Sequence, residues 1–293
     1  WASEASLATS CGRGLIGTGC LSELSVVALP LEWHNSMPRI LITNDDGIHS
    51  QGIRKLEEAL RAIGEVIVVA PSHEMSAASH ALTLGRPLRI DRIDEYHFAV
   101  DGTPVDCVTL AMGEILREAP PDIIVSGINH GGNLGDDVLY SGTVAGAMEA
   151  LVYSLPGVAI SQVGRGEVDF EPAAHFAAIL VRRILAEGLP ERTVLNVNIP
   201  RGPIRGVRLT HQGTRVARIR IHPGVDPRGR RYYWIGEEHA EWNHEEMSDY
   251  EAVREGYISI TPLHNNLTNF RALEQLHTWA ALADDVALPE PKW

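Results

Sequence analysis

From Arg39 onward, short apolar runs alternate with longer amphipathic stretches. "RILIT" (39–43) is a continuous apolar run, as expected of a parallel strand buried on both faces. "GIRKLEEALRAIG" (52–64) sets Ile53, Leu56, Leu60 and Ile63 on one helical face, with Gly64 suited to the helix end. "EVIVVA" (65–70) predicts a second buried strand, stopped by Pro71. "TPVDCVTLAMGEILRE" opens a helix with Thr103 as N-cap, Pro104 at the first helical position and Asp106 three after the cap. "PDIIVSGIN" (121–129) reads as a strand running into a glycine turn, and "SGTVAGAMEALVYSL" (141–155) as a helix rich in small residues. "GVAIS" (157–161) and "TVLNVNIP" (193–200) add strands, with a helix near 171–187 between them. Such alternation with short links predicts an α/β fold, a Rossmann-like, doubly wound, mostly parallel sheet.

After about Gly206 the texture changes. "VRLT" and "RYYWIG", with "HPGVDPRGRR" between, predict an extended hairpin; "GYISITPL" (256–263) then precedes a C-terminal helix, "TNFRALEQLHTWA". The division expected is 37–205 as core and 206–293 as hairpin, oligomerisation arm and terminal helix. Residues 1–36 are rich in Gly, Ser and small residues and carry no clear period. They lack the basic n-region of a signal peptide, and Pro30 breaks their one short apolar run. They are expected to be a disordered or artefactual leader, with Met37 as the natural start.

Composition narrows the function. The 293 residues are 44% hydrophobic and 22% charged, as in a globular protein with a large core. The net charge of −13 argues against nucleic-acid binding, which wants a basic face. No apolar run reaches the roughly 18–20 residues of a membrane span. Cys11, Cys20 and Cys107 form no disulfide framework, so a reducing compartment, the cytoplasm, is expected.

The candidate chemistry lies at the strand ends. Asp45 and Asp46 follow the first strand, Ser76 and Ser79 lie after the second, and Asn129 and Asn133 follow "IIVSGI". In an open parallel sheet, ligands bind at the carboxyl edge where strand order reverses, so these residues should converge. Oxygen donors suit Mg²⁺, Mn²⁺ or Ca²⁺. Ser141, Gly142 and Thr143 open a helix whose N-terminus suits phosphate, and the intervening glycines allow close backbone approach. Asn44 and Gly47, flanking the acidic pair, are expected with Asn133, Ser141, Gly142 and Thr143 to bind substrate. Metal beside a phosphate cradle suggests phosphate-ester hydrolysis. His239 and His244 are five apart, not the i, i+4 pair of a helical zinc site, and Cys107 reads as core.

"ILITNDDGI", "DGTPVDCVTLA", "PDIIVSGINHGGNLGDDVLYSGTVAGAMEA" and "GYISITPL" occur in this order. Together they resemble the stationary-phase survival protein SurE family of metal-dependent nucleoside monophosphate phosphatases, over about Met37 to Thr268. The resemblance implies one divalent metal, Mg²⁺ or Mn²⁺, on Asp45, Asp46, Ser76 and Asn129. It further implies a swapped C-terminal arm, a homodimer or homotetramer, and hydrolysis of nucleoside 5′- and 3′-monophosphates, with short polyphosphate as a further substrate. Asp45 and Asp46 are the expected catalytic residues, one of them also accepting a proton from water, and His49 is the nearest candidate for the leaving group's proton donor. The chain departs from the family at Ser50-Gln51 (commonly Ala-Pro), at Met75 and Ala77 around Ser76 (Ala77 stands where Gly is usual), and at Asn266 (commonly Asp). Two competing readings are a covalent aspartyl-phosphate at Asp45 and a non-catalytic, Mg²⁺-binding receiver-like module using Asp101.

Overall fold

The computed structural model describes residues 37–164 and 166–284, apart from the side chains of 215–219, 237–242 and 281–284. The expectations for residues 1–36 lie outside the described residues. In chain order the strands are β1 (Arg39–Thr43), β2 (Glu65–Pro71), β3 (Ile90–Arg92), β4 (His97–Val100), β5 (Ile123–His130), β6 (Gly157–Gln162), β7 (Val194–Ile199), β8 (Gly206–Leu209), β9 (Arg215–Val225), β10 (Arg231–Trp242) and β11 (Tyr257–Leu263). Nine of them form one sheet in the order β3-β4-β2-β1-β5-β6-β7-β11-β8, while β9 and β10 pair as an antiparallel ribbon. Pairing is parallel from β4 across to β7; β3 and β11 run antiparallel to β4 and β7.

The helices are α1 (Gln51–Leu60), α2 (Pro104–Leu110), α3 (Gly142–Met148), α4 (Glu171–Glu187), α5 (Asp249–Arg254) and α6 (Phe270–Gln275). Alternation along β1 explains why both faces must be covered. Ile40 and Ile42 pack with Ile53, Leu56 and Leu60 of α1 and Ala173 and Ala177 of α4. Leu41, between them, packs on the other face with Cys107 and Val108 of α2. Cys107 is therefore core.

Local signals explain where the helices start. Thr103 Oγ1 accepts the Asp106 N–H at 3.1 Å, and Asp106 Oδ2 accepts the Thr103 N–H at 2.9 Å, the capping box expected from the sequence. Ser141 caps α3 by accepting the Val144 N–H at 3.0 Å. Helix α1 ends earlier than its pattern suggested, because the Ile63 N–H turns back to the Leu60 carbonyl at 2.8 Å and tightens the last turn. One expectation needs correction. "VRLT" is not part of the hairpin: β8 joins the main sheet beside β11, where the Arg208 guanidinium lies 3.7 Å from the centre of the Tyr257 ring. The partner of "RYYWIG" is β9 instead. Two strands that lie C-terminal to Arg205 thus complete the main sheet.

At the back of α1, His97 bridges two acids, with Nδ1 2.8 Å from Asp94 Oδ1 and Nε2 2.9 Å from Glu57 Oε1. Glu57 also pairs with Arg61 at 2.6 Å. Burial opposes charge on the ring, but the two carboxylates outweigh it and hold His97 above the ordinary histidine range. Folding raises this pKa, so the stabilisation is complete below the unfolded value of about 6.5 and is lost as pH climbs through the folded one. His97→Gln should therefore cost about 1 kcal/mol in urea unfolding at pH 6 and clearly less at pH 9. An equal deficit at both pH values would show that the ring acts by packing alone.

Candidate active site

Strand order reverses between β1 and β5, and there the carboxyl ends of the two strands open a pocket of about 750 Å³. Asp45, Asp46, Ser76, Asn129, Asn133 and Ser141 line it, joined by Glu74, His130, Asp137, Tyr140 and Arg201. The six expected residues come from four segments, 45–46, the loop at 76, 129–133 and the start of α3 at 141, brought to one edge by the topology.

Each side chain has an identifiable support. Asp45 is buried at the end of β1, and Thr143 Oγ1 donates to its Oδ1 at 2.5 Å. The start of α3 is pressed against this carboxylate: a Cβ on Gly142 would stand 2.8 Å from the Asp45 Cβ, so only glycine fits. Asp46 Oδ2 accepts the His130 N–H at 3.1 Å, tying the acidic turn to the end of β5. The Met75 N–H donates to the Asp45 carbonyl at 2.8 Å, which brings the Ser76 loop to the pair. Ser76 Oγ donates to Glu74 Oε1 at 2.6 Å. Ala77 has φ of +57°, a left-handed conformation that strains a non-glycine residue. The register of β5 on β6 shifts between Ser126 and Asn129, a bulge that re-aims the strand end. Asn129 Nδ2 then donates to the Gly131 carbonyl at 2.9 Å, leaving Oδ1 as the amide's free acceptor among the described residues.

Four expected substrate residues do not line the pocket. Asn44 is fully buried and holds the turn, its Nδ2 donating to the Gly47 carbonyl at 3.0 Å and to Ser50 Oγ at 2.8 Å. Gly47, Gly142 and Thr143 are buried in the wall behind the carboxylates. Thr143 faces Asp45, so its hydroxyl serves a carboxylate of the protein itself. Asn133 does line the pocket but is also structural. Its Nδ2 donates to Ser161 Oγ at 2.8 Å, its N–H to Asn198 Oδ1 at 2.8 Å, and its carbonyl accepts the Asn196 side chain at 2.9 Å. His49 is exposed outside the pocket. Asp101 is held by Arg86 and Arg89 away from it, which removes the acid that a receiver needs. The side chain of His239 lies outside the described residues, and His244 pairs with Glu251 at 3.5 Å elsewhere.

The sequence reading missed Glu74, His130, Tyr140 and Arg201. Arg201 makes no hydrogen bond or ion pair among the described residues, although it lines an acidic pocket. Its only signal was its place just after the "NVNIP" strand, at the same sheet edge.

The electrostatics specify a ligand. Burial pushes the Asp45 carboxyl up to about 6; Thr143 pulls it down and Asp46 adds to the rise. Burial raises Asp46 as well, against the His130 N–H. Asp45, Asp46, Glu74 and Asp137 face one guanidinium, so an anionic substrate would be repelled unless a cation enters with it. Among the described residues no cluster of three His, Cys, Asp or Glu could hold a metal. The available donors are two carboxylates, an amide oxygen and a hydroxyl. That set is all oxygen and fits a hard divalent cation rather than zinc.

Comparison with known proteins agrees with this chemistry. A family model described as Survival protein SurE matches residues 40–218. The chain is similar to the 5′-nucleotidase SurE of Geobacter metallireducens, 51% identical over 82% of this chain and 97% of that protein. It is 48% identical to the 5′-nucleotidase SurE of Syntrophotalea carbinolica, with the same two coverages. The crystal structure of the SurE protein from Aquifex aeolicus superposes with a TM-score of 0.74 at 45% identity, covering 83% of this chain and 100% of that one.

Thr143→Val removes the hydroxyl that favours ionised Asp45. Mn²⁺ should then compete less well with a proton, and its affinity at pH 6.5 by titration calorimetry should fall about tenfold, the worth of one charge-assisted hydrogen bond. Unchanged affinity would detach Thr143 from the acidic pair.

Proposed function

The chain belongs to the SurE family, and on that premise we propose that it is a metal-dependent 5′-nucleotidase, a phosphoric monoester hydrolase that splits nucleoside monophosphates into nucleoside and phosphate. The observation that carries this is the meeting of Asp45, Asp46, Ser76 and Asn129 in one pocket at the β1/β5 switch point. These four would hold a single divalent cation, Mg²⁺ or Mn²⁺. When bound, it supplies Lewis-acid polarisation of the phosphoryl group and lowers the pKa of a water.

The protein's own groups do the rest. Asp46, more open than Asp45, accepts the proton of the attacking water. Asp45, clamped by Thr143, keeps the acidic pair from swinging. Arg201 and the backbone around Ser141 offset charge on the phosphoryl oxygens as the leaving group departs. The pocket of about 750 Å³ exceeds a phosphate and leaves room for a nucleoside, for which Tyr140 offers an exposed ring. The same room supports 3′-monophosphates and short polyphosphate as further substrates.

Assembly as a homodimer or homotetramer through the C-terminal arm is supported by apolar side chains that water should not see. Tyr233, Trp234 and Ile235 on β10 are exposed, as are Phe270 and Leu273 on α6. No described helix is long and apolar enough to cross a membrane. A free, buried Cys107 fits the reducing cytoplasm.

Phosphate release from 5′-AMP, 3′-AMP and tripolyphosphate, with chelator and with added Mn²⁺ or Mg²⁺, tests the reading. Release should require the metal, and Asp46→Asn should abolish it in a folded protein. Metal-independent release, or none from any substrate, would overturn the assignment. Arg201→Ala should raise KM for 5′-AMP about three- to tenfold, by loss of an unpaired cation beside the substrate anion. An unchanged KM would leave Arg201 outside the substrate's reach.

A further inference from the structure

Gly135 is gripped from two sides by residues remote from it in sequence. It opens a 3₁₀ turn, Gly135–Leu139, that leads through Tyr140 to Ser141 and the start of α3. Asp137, Tyr140 and Ser141 all line the pocket. The Gly135 N–H donates to Asp249 Oδ2 at 2.8 Å, and the Gly135 carbonyl accepts from Gln212 Nε2 at 2.9 Å. Asp249 Oδ1 meanwhile accepts the Gly213 N–H at 2.9 Å and the Tyr250 N–H at 2.8 Å. The Asp249 N–H donates to the His211 carbonyl at 2.9 Å, and the His211 N–H to the Met247 carbonyl at 3.1 Å. Gln212 and Gly213 are the root of the β9–β10 ribbon on one side, and Met247 to Asp249 close it on the other. One carboxylate therefore joins the ribbon's root to the turn that walls the pocket.

This placement is costly unless position matters. Asp249 is fully buried, and its oxygens are met by backbone N–H groups rather than by an Arg or Lys. Burial raises its pKa against the pull of those three N–H groups. A buried charge held by directed bonds fixes geometry more sharply than apolar packing would. Gly135 has φ of +51°, a left-handed conformation that glycine adopts without strain, so the backbone itself does not resist the turn and the directed bonds from Asp249 and Gln212 are what tie it to the ribbon's root.

Resting on the functional reading above, we propose that Asp249 and Gln212 are positioning residues for phosphate-ester hydrolysis. They lock Gly135, and through it Asp137, Tyr140 and the Ser141 turn, in register with Asp45. The ribbon's root and the pocket wall then move as one body, so that force on the ribbon, including contact with a second copy of the chain, reaches the substrate site. Neither residue touches substrate.

Asp249→Asn puts an amide donor against a backbone donor, and Gln212→Ala removes the grip on the Gly135 carbonyl while leaving the carboxylate. Both variants, and their combination, are compared with the wild-type chain by amide hydrogen exchange and by kinetics on 5′-AMP with Mn²⁺. Exchange over residues 135–141 should speed up about tenfold or more in each single variant, with the rest of the sheet unchanged. kcat/KM should fall about tenfold in Asp249→Asn and about threefold in Gln212→Ala, less than additively in the double variant, with Mn²⁺ affinity within about twofold of wild type. If Asp249→Asn does not fold, Gln212→Ala decides alone. Unchanged exchange over 135–141 in a folded variant, or exchange that speeds up with kcat/KM unaltered, would overturn the proposal. A wild-type chain inert toward 5′-AMP would sink the functional reading instead, and the exchange measurement would still decide whether the joint exists.

Discussion

Two adjacent carboxylates at the end of a buried strand are the constraint on which the site is built. Asp45 and Asp46 repel each other, and burial raises both against ionisation. Each nonetheless has a dedicated partner, the Thr143 hydroxyl for one and the His130 N–H for the other. Holding two acids so firmly, half satisfied, makes physical sense where a cation completes the set. The sheet topology serves that need. Only at the β1/β5 reversal do the turn after β1, the loop after β2 and the end of β5 share one crevice.

The start of α3 takes on a different meaning in this setting. A helix N-terminus is suited to an anion, and the anion that Thr143 grips is Asp45. Ser141, the N-cap two residues earlier, faces the pocket. The segment thus fixes the acidic pair from behind and borders the substrate in front. The turn leading into it is anchored in its turn by the root of the ribbon, which links the catalytic edge to the arm.

Much of this was legible because the signals are local. The parallel strands are short apolar runs; Thr103, Pro104 and Asp106 specify their helix start; and the order of strand-end polar residues, read through the parallel-sheet rule, places Asp45, Asp46, Ser76 and Asn129 together. What was not legible depends on contacts distant in sequence. Nothing in "VRLT" says that it leaves the hairpin for the main sheet, since its partner is the parallel strand β11 about fifty residues later. Asn44 and Thr143 look like substrate residues until their bonds are seen to end within the protein. Arg201 carries no motif, and Asp249 sits in an ordinary helix start whose second role, on Gly135, exists only in three dimensions.

The central claim is that the four oxygen-bearing residues share one cation beside the phosphate. Anomalous diffraction from crystals grown with Mn²⁺ and inorganic phosphate tests it directly. The account predicts a single Mn²⁺ peak in the pocket, about 2.0–2.4 Å from oxygens of Asp45, Asp46, Ser76 and Asn129, with phosphate beside it on the Ser141 side. A pocket without Mn²⁺ at saturating concentration, or a phosphorus atom bonded covalently to Asp45, would contradict it.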